Sequence, residues 1–149
     1  LDINEERVAK KFSDPRTLIG ISDGGAHVDM LCNAGYPSYL LGRFVREKQA
    51  LTLEYAVQRI PSEPAQYFGI TDRGMLRPGL AGDITIFDMS TVGPPERPEI
   101  RHDLPGGGRR LVTQAEGIQY TIVNGQILYE GQRHTGVLPG QVIRGGQHA

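Results

Sequence analysis

Apolar positions recur at helical spacing near the start of the chain, where Val8, Ala9 and Phe12 share one face. Asn4 stands ahead of them as a capping residue. Glu5 and Glu6 fall in the first turn and Lys10 and Lys11 in the last, so side-chain charge opposes the helix dipole at both ends. Ser13-Asp14-Pro15 ends this helix. In Thr17-Leu18-Ile19-Gly20-Ile21-Ser22, apolar side chains point to both faces of a strand, the pattern of a strand buried on both sides in a parallel sheet. From Pro37 the period is helical again. Leu40, Leu41, Phe44 and Val45 form one face, with Arg43, Arg46, Glu47 and Lys48 mostly opposite. Thr52 is placed to cap a helix whose face is Leu53, Ala56, Val57 and Ile60. Ser62, followed by Glu63 and Pro64, predicts the start of a third short helix ending near Phe68, with Gly69 suited to a left-handed C-terminal cap.

Beyond Ile70 the helical period disappears. Pro78-Gly79 and Ala81-Gly82 are turn signals, and Asp83–Asp88 reads as a strand. Val92–Arg110 is polar and rich in Pro and Gly, a long excursion in which Gly106-Gly107-Gly108-Arg109-Arg110 reads as a flexible surface loop. Ile118, Tyr120 and Ile122 alternate with Gln119, Thr121 and Val123. Asn124-Gly125 then separates this run from Gln126–Tyr129, a strong hairpin signal. Arg144–Ala149 shows no periodicity.

Composition narrows the class. At 149 residues the length suits one domain. With 20 Gly and 10 Pro the chain is rich in turns. Sixteen basic against 17 acidic side chains leave a net charge of −1, which argues against nucleic-acid binding through a basic surface. No apolar run is long enough for a transmembrane helix, so no membrane partner is expected. A single cysteine, Cys32, excludes an internal disulfide framework and suits a reducing, cytoplasmic compartment. A parallel strand needs partners reached by crossovers, and the sequence has no second comparable helix–strand unit. The order helix, strand, loop, helix therefore reads as the last piece of a longer βα series, and the chain as part of a larger protein.

The segment with most chemistry is Ser22-Asp23-Gly24-Gly25-Ala26-His27. Asp23 lies just past the carboxyl end of the predicted strand, where parallel α/β folds place ligands and catalytic groups. The two glycines behind it permit a sharp turn and leave space over the carboxylate. An Asx-turn, with Asp23 bonding backbone N–H groups, is the structural alternative. His27 and Asp29 bring imidazole and carboxylate close by, but His102, His134 and His148 have no metal-ligand spacing, so a self-contained metal site is not expected. Cys32 reads as a free thiol behaving as a small hydrophobe rather than a nucleophile paired with His27. Phe44, Tyr55, Tyr67 and Phe68 read as core or interface contacts.

Three blocks in order resemble the amidohydrolase superfamily, and within it the branch of D-aminoacylases, the N-acyl-D-amino-acid deacylases. The first is Ser22–His27, with Gly35-Tyr36-Pro37 and the helical run to Phe68-Gly69. The second, from Gly74 to Asp88, is similar to the passage by which these enzymes leave the barrel, with Gly82 where Ala is usual. The third is Val123-Asn124-Gly125 followed by Gly136–Gly140 and Arg144-Gly145. The resemblance implies an α/β plus β fold: the last strand and helices of a (β/α)8 barrel over residues 1–72, then the C-terminal strands of a small composite β-sandwich over 73–149. It implies metal-dependent amide hydrolysis, with one or two divalent ions, usually zinc, making hydroxide available near neutral pH. Asp23 matches the aspartate that accepts the water's proton and passes it to the leaving amine, and it is also a possible metal ligand. By the same resemblance, Gly25 and His27 sit where the family's loop would border the substrate. The other ligands belong to parts of the family fold that this chain does not supply, so it is expected to hold no zinc and to be inactive alone.

The expected partners are a small-molecule amide substrate, the missing N-terminal portion of the same enzyme, and a second copy in a homo-oligomer. The substrate the resemblance implies is a small N-acyl compound, with an N-acyl-D-amino acid the nearest class. One departure bears on that. Such loops often carry a basic residue after the aspartate, whereas Gly24–Leu41 offers only His27 as a cation. The alternatives are hydrolysis of a cyclic amide or related C–N bond, and a non-catalytic assembly module that pairs with a missing barrel half.

Overall fold

The computed structural model describes residues 4–20, 22, 27–32 and 34–143, and every structural statement below concerns those residues. The first helix, α1 (Glu5–Phe12), begins as its sequence dictates: Asn4 Oδ1 accepts a hydrogen bond from the Arg7 N–H at 3.0 Å. Its inner face, Val8, Ala9 and Phe12, packs on the core, where the Phe12 ring meets Phe44 edge-on at 4.9 Å. Across the same contact, Glu5 is paired with both Arg43 and Lys48, which hold its carboxyl at a pKa of about 2.

The apolar stripe from Leu40 forms the next helix. α2 (Tyr36–Tyr39) runs without a break into a π-helical segment, Leu40–Glu47, which closes with the Lys48 N–H on the Arg43 carbonyl at 2.9 Å. Leu40, Leu41 and Phe44 are buried as the pattern predicts. The wider turn accompanies a close approach: a Cβ on Gly42 would lie 2.7 Å from the Val92 carbonyl oxygen. α3 (Leu53–Val57) is capped by Thr52, whose Oγ1 accepts from the Tyr55 N–H at 3.2 Å. It passes through a second π-helical segment, Gln58–Ser62, into α4 (Glu63–Tyr67). Ser62 is therefore not the expected cap. It has helical dihedrals, and its hydroxyl donates instead to the Gly74 carbonyl at 2.6 Å. Gly69 is left-handed as expected, with φ 67°.

The described residues of the predicted strand Thr17–Ser22 form no strand, and no described residue before Ile84 belongs to a ladder. A strand exists only through the neighbours that bond it, and nothing described lies beside this segment to do so. Ile19 instead joins the helical core, while Leu18 is left 41% exposed.

The second half is β structure: β1 (Ile84–Phe87), β2 (Glu99–Leu104), β3 (Gly108–Val112), β4 (Ile118–Val123), β5 (Gln126–Glu130) and β6 (Arg133–His134). One antiparallel sheet has the order β1-β4-β5-β6, with Ile84 opposite Ile122 and Val123 opposite Gln126. Its β4–β5 turn is the predicted Asn124-Gly125, with φ 47° and 77°. The excursion expected as loop contains the separate hairpin β2–β3, in which Glu99 faces Val112 and Leu104 faces Gly108. Its charged residues pair across and along the strands, which hid the strands from a search for apolar alternation. Gly106 and Gly107, each at φ 72°, form its tip rather than a flexible loop.

One cluster joins the halves: Ile19, Leu40, Leu41, Phe44, Leu51, Ala56 and Val92 are buried together, with Phe87, Met89 and Ile118 packed against them. Arg46 Nη1 donates to the Val92 carbonyl at 2.5 Å. No described helix is long and apolar enough to cross a membrane.

Candidate active site

Asp23 and Gly25 lie outside the described residues, so the site is built from its two flanks. The leading flank is held by a buried cation. Arg59 is 0% exposed. It pairs with Glu63, donates from Nη2 to Thr17 Oγ1 at 2.9 Å and to the Asp14 carbonyl at 3.3 Å, and lies over the Tyr55 ring at 5.9 Å. A buried guanidinium needs its charge and donors answered; here the two terminal nitrogens are answered by Glu63 and the turn Asp14–Thr17, while Nε has no hydrogen-bond partner among the described residues. Asp14 is in addition clamped by Arg16 Nε and Nη2 at 2.9 and 2.7 Å, which lowers its pKa to about 2. The chain thus leaves Thr17 from a fixed point, six residues before Asp23.

The trailing flank begins at His27, which is exposed and left-handed with φ 49°. Its carbonyl accepts from the Met30 and Leu31 N–H groups at 2.8 and 2.9 Å, making a tight turn. The Val28 carbonyl accepts from the Leu111 N–H at 2.7 Å, so the β2–β3 hairpin is fastened to this loop. Sequence reasoning missed that contact because the hairpin itself was unseen. Cys32 is a free, half-buried thiol. His102 and His134 are occupied elsewhere: the former's Nδ1 lies 3.4 Å from the Gly107 carbonyl, and the latter accepts from the Gly136 N–H and stacks edge-on against Tyr129. His148 lies outside the described residues.

Among the described residues no three His, Cys, Asp or Glu side chains converge on one point. They do not fit a self-contained zinc centre, which needs three or four protein ligands. A cavity of about 920 Å³ opens between the helices and the β1–β4 edge, lined by Leu41, Ile60, Phe68, Ile84 and Phe87 among others. None of its lining residues comes from residues 17–32, so it is not the pocket of this loop.

Comparison with known proteins adds what the described flanks lack. The signature of the amidohydrolase family matches residues 4–129. The chain belongs to the amidohydrolase family. Among its curated relatives is N-acyl-D-glutamate deacylase of Alcaligenes xylosoxydans xylosoxydans, 31% identical over 150 residues, covering 95% of this chain and 27% of that protein. The chain thus spans about a quarter of the length of the curated relatives it matches. Among solved structures, a D-aminoacylase mutant in complex with copper chloride superposes with a TM-score of 0.59 at 30% identity, over 72% of this chain and 20% of that one. The N-acyl-D-glutamate deacylase of Bordetella bronchiseptica, complexed with zinc and a phosphonate mimic of the tetrahedral intermediate, gives 0.52 at 34% identity, over 72% and 20%. The amidohydrolase chain therefore carries the D-aminoacylase likeness that its three sequence blocks announce.

Proposed function

We propose that this chain is the C-terminal part of a metal-dependent amidohydrolase that cleaves the amide bond of a small N-acyl compound, with N-acyl-D-amino acids as the substrate class. The observation that carries the proposal is alignment of 95% of the chain with an N-acyl-D-glutamate deacylase. In this reading residues 1–72 belong to the end of the barrel and 73–149 to a small β-domain. The rest of the polypeptide supplies the other barrel strands, covers the half-exposed sheet and brings the other ligands of the ion.

Asp23 is the group assigned to the chemistry. Its carboxylate takes a proton from the attacking water as the C–O bond forms. It returns that proton to the amine nitrogen as the C–N bond breaks. Arg59 and the Asp14–Thr17 turn fix one approach to Asp23, and the His27 turn fixes the other. Gly25 and His27 border the substrate.

The test is free amine released from N-acetyl-D-amino acids by the full-length, zinc-loaded protein. Release of the D-amino acid with acetate supports the reading. No release from any N-acyl-D-amino acid, with metal bound and the protein folded, contradicts it. The non-catalytic alternative predicts that second result.

A further inference from the structure

We propose that Asn124 is a gated modification site: the Asn-Gly pair that turns β4 into β5 deamidates to aspartate and isoaspartate once the C-terminal segment lifts off it. None of the residues assigned to amide hydrolysis takes part. Asparagine is a thermolabile residue, and a following glycine has no Cβ to hinder the attack of its nitrogen. The Gly125 nitrogen attacks Asn124 Cγ. A C–N bond forms, the Cγ–Nδ2 bond breaks, and ammonia leaves with the proton lost from the Gly125 nitrogen. Solvent water then opens the succinimide at one carbonyl or the other, giving aspartate or isoaspartate.

The folded turn holds both reacting groups. The Gly125 N–H donates to the Gly82 carbonyl at 2.9 Å, and the fit is close, since a Cβ on Gly82 would lie 3.1 Å from the Gly125 nitrogen. Asn124 Nδ2, the leaving group, donates to the Pro139 carbonyl at 2.7 Å. Swinging the Gly125 nitrogen onto Cγ breaks the first bond, and turning the amide to meet it breaks the second. Water reaches the turn, because Gly125 is exposed and Asn124 half-buried. The part able to open is the tail that carries Pro139. It is tied down at Thr135, whose N–H donates to the Leu128 carbonyl at 3.0 Å and whose Oγ1 donates to the Ile127 carbonyl at 2.6 Å. Beyond that tie Leu138 and Val142 are 85% and 84% exposed. A segment with so little burial opens locally while the core stays closed.

Reclosing does not undo the change. An aspartate at position 124 has no donor for the Pro139 carbonyl. It also puts a second negative charge on the residue whose N–H already donates to Asp83 Oδ1 at 2.8 Å, and the Asp83 carboxylate has Arg73 as its counter-ion at 2.7 Å. Like charges set together are destabilising. Isoaspartate adds a methylene to the main chain of a two-residue turn that fixes the β4–β5 register. The tail therefore stays off once the turn is modified.

The experiment incubates the full-length protein at neutral pH and physiological temperature and follows residue 124 by peptide mass spectrometry, with the same protein unfolded in guanidinium chloride as the reference. Native protein is expected to convert about 10- to 100-fold more slowly than unfolded protein, the weight of two hydrogen bonds. Thr135→Val removes the hydroxyl tie without touching the turn and is expected to speed native conversion about 3- to 10-fold. Phe44→Ala loosens the distant helical core and leaves the rate within about twofold while the protein stays folded. Asn124→Asp installs the product and is expected to raise amide hydrogen exchange from Thr135 to Val142, with exchange in α1 unchanged. Equal conversion in native and unfolded protein, or conversion in neither, overturns the proposal. Equal acceleration by Phe44→Ala and Thr135→Val makes global unfolding the route and removes the tail as the gate. Unchanged exchange in Asn124→Asp overturns the claim that the modified turn keeps the tail off.

Discussion

The two halves of this chain bury their apolar residues to different degrees. In the helical half, Leu40 and Phe44 are 1% exposed and Ala56 is fully buried. In the β half, no residue of any strand is fully buried, and Ile86, Ile100, Ile127 and Tyr129 all stand in the exposed class. Antiparallel sheets ordinarily cover one face. The difference locates the core: helices close around Phe44, and the β half meets them through Val92, Phe87, Met89 and Ile118. That is the arrangement expected if the remaining polypeptide of a longer amidohydrolase completes the β-domain.

Substitutions can break this contrast. Phe44→Ala removes the central ring of the helical core and is expected to cost about 3–5 kcal/mol in thermal unfolding of the 149-residue chain. A loss below about 1 kcal/mol would show that this half has no fixed core. Gly117→Ala comes next, at about 3 kcal/mol, because φ is 71° there and a Cβ would meet the Val92 nitrogen at 2.4 Å. Ile86→Ala sharpens the comparison most. If further polypeptide covers the sheet, it is expected to cost less than about 1 kcal/mol in the 149-residue chain and about 2–5 kcal/mol in the full-length protein. Equal costs in the two proteins would remove the reason for assigning that cover to the missing polypeptide. Asn4→Ala, which removes one cap, is expected to cost about 1 kcal/mol.

The smallest effect is electrostatic. Glu5 has its pKa lowered from 4.5 to about 2 by Arg43 and Lys48. A depressed carboxyl stabilises the fold above its unfolded pKa, and that contribution fades as pH falls from about 4.5 toward 2, because the unfolded chain takes the proton first. Melting temperatures of wild type and Glu5→Gln should therefore converge over that window. Parallel curves would show that the ion pairs contribute nothing to folding.

What the sequence disclosed, and what it hid, follows from which interactions are local. The caps at Asn4 and Thr52, the stripe through Leu40 and Phe44, and the Asn124-Gly125 turn depend on neighbours within a few residues, and each stands as read. Thr17–Ser22 has the composition of a buried strand, but its ladder needs partners that lie nowhere in the described chain. The β2–β3 hairpin was hidden for the opposite reason, since Glu99, Arg101, Asp103 and Arg110 hold it by charge rather than by apolar alternation. Of the candidate site, the structure gives the two flanks and the hairpin docked on Val28, while Asp23 itself rests on sequence likeness.

The decisive measurement is kcat of the full-length protein carrying Asp23→Asn, with bound zinc quantified in the same sample. An asparagine keeps the size of the side chain but cannot carry the proton, so turnover of an N-acetyl-D-amino acid should fall by about 10²- to 10⁴-fold with the metal retained. Turnover at the wild-type rate, with zinc still bound, would contradict the assignment of Asp23 as the proton carrier.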